Sequence, residues 1–384
     1  MGHHEGSYNG HTEPDTHDAK LDSDYLLWVL SDSNLPTGGF IASAGLESYS
    51  VHGFLDHDVP DSDSIRANGI GSAGSSNAGH RMTPSDRVAA NTVDFVRSSL
   101  GSYASSALPY LLDAHRCVTS ALDNQGATVS EERLRSCIDS IVCLDKDYHA
   151  FVTGHVVRRA SKAQGVALLT LYSKSFADAP LGGRYGRQTC SSSARHRGAS
   201  FIVDELKRRV RASSSRLAAP HAHLPICWGV FTACLGIEAK EAVSLHLFLQ
   251  ARAILSSSIR LNTLGPYLAH GLLVHEARQV VQEVTQAKDW VKAATTGLIK
   301  EQGDDCKEMQ RETNNKAASN SFEADWTWDD DDGAWEAAEQ MGQLERPDTF
   351  STSTQRPVAP VNTWPLGEIV QNRHDVLHVR LFNS

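Results

Sequence analysis

Apolar positions along this chain recur at three- and four-residue spacing, in blocks separated by long polar stretches. The unbroken apolar run from Tyr25 to Leu30, behind the potential caps Asp22 and Ser23, predicts a first helix. A tight turn through Pro36, Gly38 and Gly39 follows, because proline lacks a backbone donor and glycine reaches angles closed to other residues. Ala42, Gly45, Leu46, Tyr49 and Gly53 then predict a second helix with a small-residue face. Gly45 inside a helix costs about 1 kcal/mol relative to alanine, which points to close approach of another element. Glu47 lies roughly opposite Gly45 and is expected to face outward.

Later blocks extend the pattern. Pro84 is placed for a first helical turn, with Val88, Ala89, Thr92, Val93 and Val96 on one face. Pro109 predicts a break or kink within 102–121. Further helices are expected from about Glu131, over 156–176, over 224–235, over 238–261, and from Gly265 or Pro266 through Val284. No useful period-two segment and no solenoid repeat stands out, so the fold class is all-α: one helical bundle domain with long low-complexity insertions.

The polar stretches divide the chain. Residues 1–20 read as a disordered polar leader, and 21–300 as the helical core, with insertions at about 55–83 and 177–219. The second insertion has room for a short helix near 201–211. Residues 301–360 read as an acidic disordered insertion, and 361–384 as a tail that regains apolar content.

Charge narrows the functional classes. The net charge of −10 opposes nonspecific nucleic-acid binding. In such a chain the basic run from Lys207 to Arg211 reads as a solvated helix face. No apolar run approaches the roughly 20 residues needed to span a bilayer, and the N-terminus lacks a secretory pattern, so a cytoplasmic protein without membrane contact is expected. Seven cysteines, an odd number with no C-x-x-C pair, suggest buried free thiols. His3, His4, His11 and His17 could offer imidazoles to nickel, but their irregular spacing defines no site.

Catalytic signatures are missing. There is no G-x-x-x-x-G-K-[ST] phosphate loop, no H-E-x-x-H, no paired-cysteine zinc motif and no serine nucleophile elbow. His221 and His223 alone make a weak pair. The expectation is a helical binding protein with no catalytic, cofactor or metal residues. Two alternatives are a general all-α interaction scaffold and a magnesium-dependent prenyl-diphosphate enzyme. The latter would use Asp329 to Asp332, but that run lies in an aliphatic-poor segment, where carboxylates are usually solvated.

Several motifs carry a resemblance. Leu35-Pro36-Thr37-Gly38-Gly39-Phe40 and Ser43-Ala44-Gly45-Leu46-Glu47 resemble the L-P-x-G-[GS]-F and S-x-G-L-E signature of the UreF family of urease accessory proteins. Ala44 stands where many bacterial members carry glutamine. The stretch Arg158 to Leu169 is similar to the family's R-x-A-S-x-x-Q-G-R-A-L-L helix, with Val166 in place of the usual arginine. The segment His223 to Val230 resembles H-x-P-V-x-F-G, and Arg260 to Gly265 resembles R-L-x-x-L-G. The ending Arg373 to Ser384 looks like fungal and plant members.

The resemblance implies assembly with UreD (UreH), the GTPase UreG and apo-urease, a homodimer within that complex, and nickel as cargo rather than a resident cofactor. Partner contact is an option for Glu47, Tyr49, Lys162, Gln164 and Arg380, with a solvated face the plainer reading of Glu47, Lys162 and Gln164. The resemblance also implies a tail ordered in the UreD complex near the first loop-helix motif, with Arg380 approaching Tyr49 or the backbone around it. Gly165, Gly229 and Gly265 are expected to serve packing.

Overall fold

The computed structural model describes residues 24–37, 39, 42–56, 83–123, 130–177, 194–212, 220–286, 295–298 and 360–382. The chain divides into two units, 1–298 with 357–384, and 299–356. The second unit and the polar leader lie outside the described residues, as does most of the insertion at 55–83.

Every regular element among the described residues is helical. Helix α1 spans 24–30, and α2 is the short Leu46–Val51. They are followed by α3 (Pro84–Ser106), α4 (Leu108–Leu122), α5 (Glu131–Phe151) and α6 (His155–Leu171). A π-helical turn, Tyr172–Phe176, extends α6. Then come α7 (Ala194–Ala212), α8 (Leu224–Leu235), α9 (Ala239–Arg260), α10 (Pro266–Val274), α11 (Glu276–Gln286) and α12 (Pro365–Asn372). A 3-10 turn, Arg373–Val376, leads into the tail.

Helix α8 is the centre. It is apolar on all sides and buried from Leu224 to Cys234, as a helix without a polar face must be. Helices α4 and α6 pack most closely on it, and α5, α7 and α9 also touch it. Gly229 permits the α4 crossing: a Cβ there would overlap the Leu111 carbonyl oxygen. Gly165 does the same between α6 and the segment before α8, where a Cβ would overlap Ala222 O. Helices α9, α10 and α11 close the other side of the bundle against α3.

Prolines start the helices as expected. Thr83 caps α3 in a reciprocal box with Asp86, and Pro84 follows. The chain breaks at Ala107, and Pro109 sits in the first turn of α4.

Several expectations need correction. Gly45 is not inside a helix. It precedes α2 with φ of 87°, a left-handed angle that favours glycine. The close approach inferred for it is real, since a Cβ would come within 2.5 Å of Gln371 Cγ. Gly265 meets nothing within 4 Å and serves no packing role; it is the residue before α10. The helix expected through Val284 is interrupted at His275, where ψ of −78° breaks the regular path between α10 and α11. Helix α7 is longer than 201–211. Cys143 is exposed rather than buried.

Helix α9 has the length and mean hydropathy to cross a membrane by composition alone, although Lys240, Glu241, Arg252 and Arg260 interrupt its apolar run. It packs against α2, α3, α4, α8, α10 and α11, the setting of a core helix. The basic face of α7 is paired: Arg208 and Arg209 reach Glu205, and Arg209 also reaches Asp139.

Candidate docking site at the C-terminal clasp

The signature loop, α2 and the C-terminal tail meet at one place. The loop is shaped locally: Asp32 Oδ1 accepts from Asn34 N at 3.0 Å, and Thr37 N donates to Leu35 O at 2.7 Å. Its Pro36 lies in that turn, Gly39 would place a Cβ 3.7 Å from Gln164 Oε1, and Gly38 lies outside the described residues.

Glu47 is the anchor. It is 3% exposed, so the outward orientation expected for it is overturned. Its carboxylate accepts from His374 Nε2 at 2.9 Å, from Phe382 N at 3.1 Å and from Leu381 N. A buried carboxylate needs this much donation to offset its lost hydration. Helix periodicity could not reveal it, because the covering donors come from the far end of the chain.

The neighbouring tail residues each find a partner. Gln371 Nε2 donates to Ala44 O at 3.1 Å. His52 Nδ1 donates to Ser48 O at 2.7 Å, which leaves its Nε2 free to accept from Arg373 Nε at 3.0 Å. Asp375 takes two bonds from Arg159, at 2.9 and 3.0 Å, and one from His155 at 3.1 Å. The Arg159 guanidinium, helped by His155, holds the Asp375 carboxyl well below the usual carboxylate range. The ring of Phe382 lies under the Arg260 guanidinium at 4.4 Å.

Arg380 does not approach Tyr49. Its Nη1 donates to Asp375 Oδ1 at 3.1 Å. Tyr49 instead stacks on Phe54 at 4.9 Å and meets Phe95 edge-on at 4.9 Å, with Trp364 beside both. A guanidinium five residues from an acidic side chain finds it without crossing to the aromatic cluster. The docking of the tail on the first loop-helix motif is thus present in the single chain, with different contacts from those expected.

Lys162 and Gln164 are half-buried on α6. Gln164 lines a cavity of about 180 Å³ between α3, α6 and α12, together with Gly45, Tyr103, Ser161, Gln250 and Asn372. Buried Asn372 Oδ1 has no hydrogen-bond partner among the described residues.

Beside α6 lies a second polar group that the sequence marked only as a weak histidine pair. The Asp145 carboxylate accepts from the backbone N–H groups of His221, Ala222 and His223, holding Ala222 at φ of 59°. His223 bridges His149 Nδ1 at 2.9 Å and Ser161 Oγ at 3.1 Å, and His221 stacks on His149 with ring centres 3.6 Å apart. Burial pushes His223 down to about 3 and His149 to about 4. Among the described residues no group of three or more His, Cys, Asp or Glu side chains is arranged to hold a metal ion.

The UreF family model matches residues 87–277. Urease accessory protein 6 of Cryptococcus neoformans var. grubii is 35% identical over 368 residues, covering 94% of this chain and 96% of that protein. This chain belongs to the UreF family of urease accessory proteins. Urease accessory protein F of Oryza sativa subsp. japonica is 24% identical over 259 residues, covering 67% of this chain and 70% of the rice protein. An uncharacterized urease accessory protein UreF-like from Schizosaccharomyces pombe is 26% identical over 120 residues, 31% of this chain and 43% of that one. The UreF family model covers neither the signature loop nor the tail of the clasp. The all-α fold expected of a UreF protein is what the described residues form.

Proposed function

We propose that this protein acts in urease maturation as a non-catalytic adaptor. In this reading it assembles with UreD (UreH), recruits the GTPase UreG, and docks on apo-urease to support nickel delivery. Nickel is cargo of the assembly, the chain holds no stable cofactor, it works as a homodimer within the complex, and it resides in the cytoplasm. The near-full-length match to a urease accessory protein carries the reading. The clasp supports it: Ala44, Gly45 and Glu47 of the signature are held directly against the tail. The half-exposed Arg380, Lys162 and Gln164 and the exposed Leu381 and Val379 are available there to a partner.

Deleting the gene tests the proposal. Urease activity should vanish while apo-urease protein still accumulates, and an affinity-tagged chain should recover UreD, UreG and urease subunits. Urease activity at the parental level in the deletion strain would overturn the reading. The purified chain should hydrolyse neither urea nor GTP.

A further inference from the structure

Helices α4 and α5 form an antiparallel hairpin, and each contributes one cysteine to their contact. Cys117 Sγ and Cys137 Sγ are 3.3 Å apart. A disulfide needs about 2.05 Å between sulfurs, so closure requires roughly 1.3 Å of approach. Of the other described cysteines, Cys143 is exposed and Cys227 and Cys234 are buried.

We infer that Cys117 and Cys137 form an oxidisable dithiol, which peroxide converts to a disulfide joining α4 to α5. The two sulfurs are unlike. Cys117 is half-buried and reachable, whereas Cys137 is 5% exposed. Cys117 Sγ donates to Cys137 Sγ at 3.3 Å and to the Cys137 carbonyl oxygen at 3.6 Å, and this pairing together with burial pushes the Cys137 thiol up. Cys117 is therefore the attacking sulfur and Cys137 the resolving one.

The chemistry balances with hydrogen peroxide as the named oxidant. The Cys117 thiolate attacks one peroxide oxygen and the O–O bond breaks. Cys117 becomes a sulfenic acid, and the departing hydroxide takes up a proton as water. Cys137 then attacks the Cys117 sulfur as its thiolate. The S–O bond breaks, and the hydroxyl leaves as water with the proton that Cys137 gave up. Two thiols are oxidised by two electrons in all, and one peroxide is reduced to two waters.

The linkage would tie α4 to α5, the pair of helices on which α8 packs. Two turns of contact lie near it: Asp113, one turn before Cys117, accepts from Thr295 and Thr296, and Arg133 on α5 reaches Ser120 O on α4.

The test uses the full chain, reduced and then exposed to a small excess of hydrogen peroxide at neutral pH. Remaining thiols are alkylated and the protein is mapped by mass spectrometry after digestion. The expected product is a linked pair of Cys117 and Cys137 peptides, 2 Da lighter than their sum, which separates on adding dithiothreitol. The Cys143→Ser variant, which removes the exposed competitor, should give the same pair. Recovery of Cys117 and Cys137 as separate peptides, alkylated or oxidised to sulfinic acid, would overturn the inference. So would a disulfide from Cys117 to any other cysteine as the main product.

Discussion

His374 and Glu47 meet at 2.9 Å with both side chains out of water, although 327 residues separate them in the chain. The contact joins the 3-10 turn after α12 to α2 of the signature motif. Glu47 also serves the backbone of Leu381 and Phe382, so one carboxylate holds three donors. Replacing it with alanine leaves buried donors without an acceptor. The cost should be about 3 kcal/mol, and it should fall on the tail. Hydrogen exchange at the Leu381 and Phe382 amides should then accelerate about 100-fold. Unchanged protection would show that the tail is held by its apolar side chains instead.

Asp375 gives the tail an acid-sensitive tie. Arg159 holds its carboxyl below the usual range in the folded chain, while the unfolded value is near 4. Its contribution is therefore complete above about pH 4 and is lost as pH falls toward the depressed folded value. Asp375→Asn should lower tail protection at pH 6 and flatten the difference between pH 6 and pH 3. Identical pH profiles for both chains would contradict the Arg159–Asp375 tie.

Arg380 and Tyr49 make separate contacts, the first with Asp375 and the second with Phe54 and Phe95. Arg380→Ala should cost about 0.2–1 kcal/mol, since its pair with Asp375 is partly exposed. Combined with Tyr49→Ala, the losses should add to within about 0.5 kcal/mol. A larger coupling energy in a double-mutant cycle by urea denaturation would bring the two residues into contact after all.

His223 and His246 are buried neutral, each pushed down to about 3 by burial. An unfolded histidine takes up a proton below about pH 6.5, which the folded chain refuses until about pH 3. Stability should therefore fall as pH drops through that window, by up to about 1.4 kcal/mol per pH unit for each of the two groups. Urea midpoints measured from pH 7.5 to pH 5 should decline accordingly. The slope should lessen in His246→Gln, even if that variant starts from lower stability because the Tyr103 hydroxyl at 2.8 Å loses its ring partner.

The glycines separate by what surrounds them. Gly229→Ala and Gly165→Ala would each drive a methyl group into a backbone carbonyl oxygen, that of Leu111 or Ala222. Backbone yields poorly, so each should cost about 1–3 kcal/mol or more. Gly265→Ala meets open space at an ordinary φ of −69° and should change stability by less than about 1 kcal/mol. Equal losses at all three positions by chemical denaturation would refute this account of the two crossings.

Much of the bundle was legible in the chain. Pro84, Pro109, Pro225 and Pro266 each sit in a first helical turn, where a missing N–H costs nothing. The largely apolar stretch over 224–235 was legible as a helix, and its central place came from the structure. Gly165 and Gly229 announced close crossings, and the apolar residues of the tail announced that it is held. Helical spacing turns Glu47 outward because it assigns a side chain only to a face of its own helix. It says nothing of which distant segment covers that face.

Gly45 shows the same division. Its need for close approach was written in the sequence, but its positive φ and its neighbour Gln371 come from the meeting of α2 with α12. Helix starts, periodic faces and small-residue contacts depend on residues a few positions apart, so the sequence by itself determined them. The clasp on Glu47, the pairing of Arg380 with Asp375, the histidines around Asp145 and the facing of Cys117 and Cys137 were decided by tertiary structure. Each depends on which buried polar or sulfur groups are brought together when helices far apart in sequence exclude water between them.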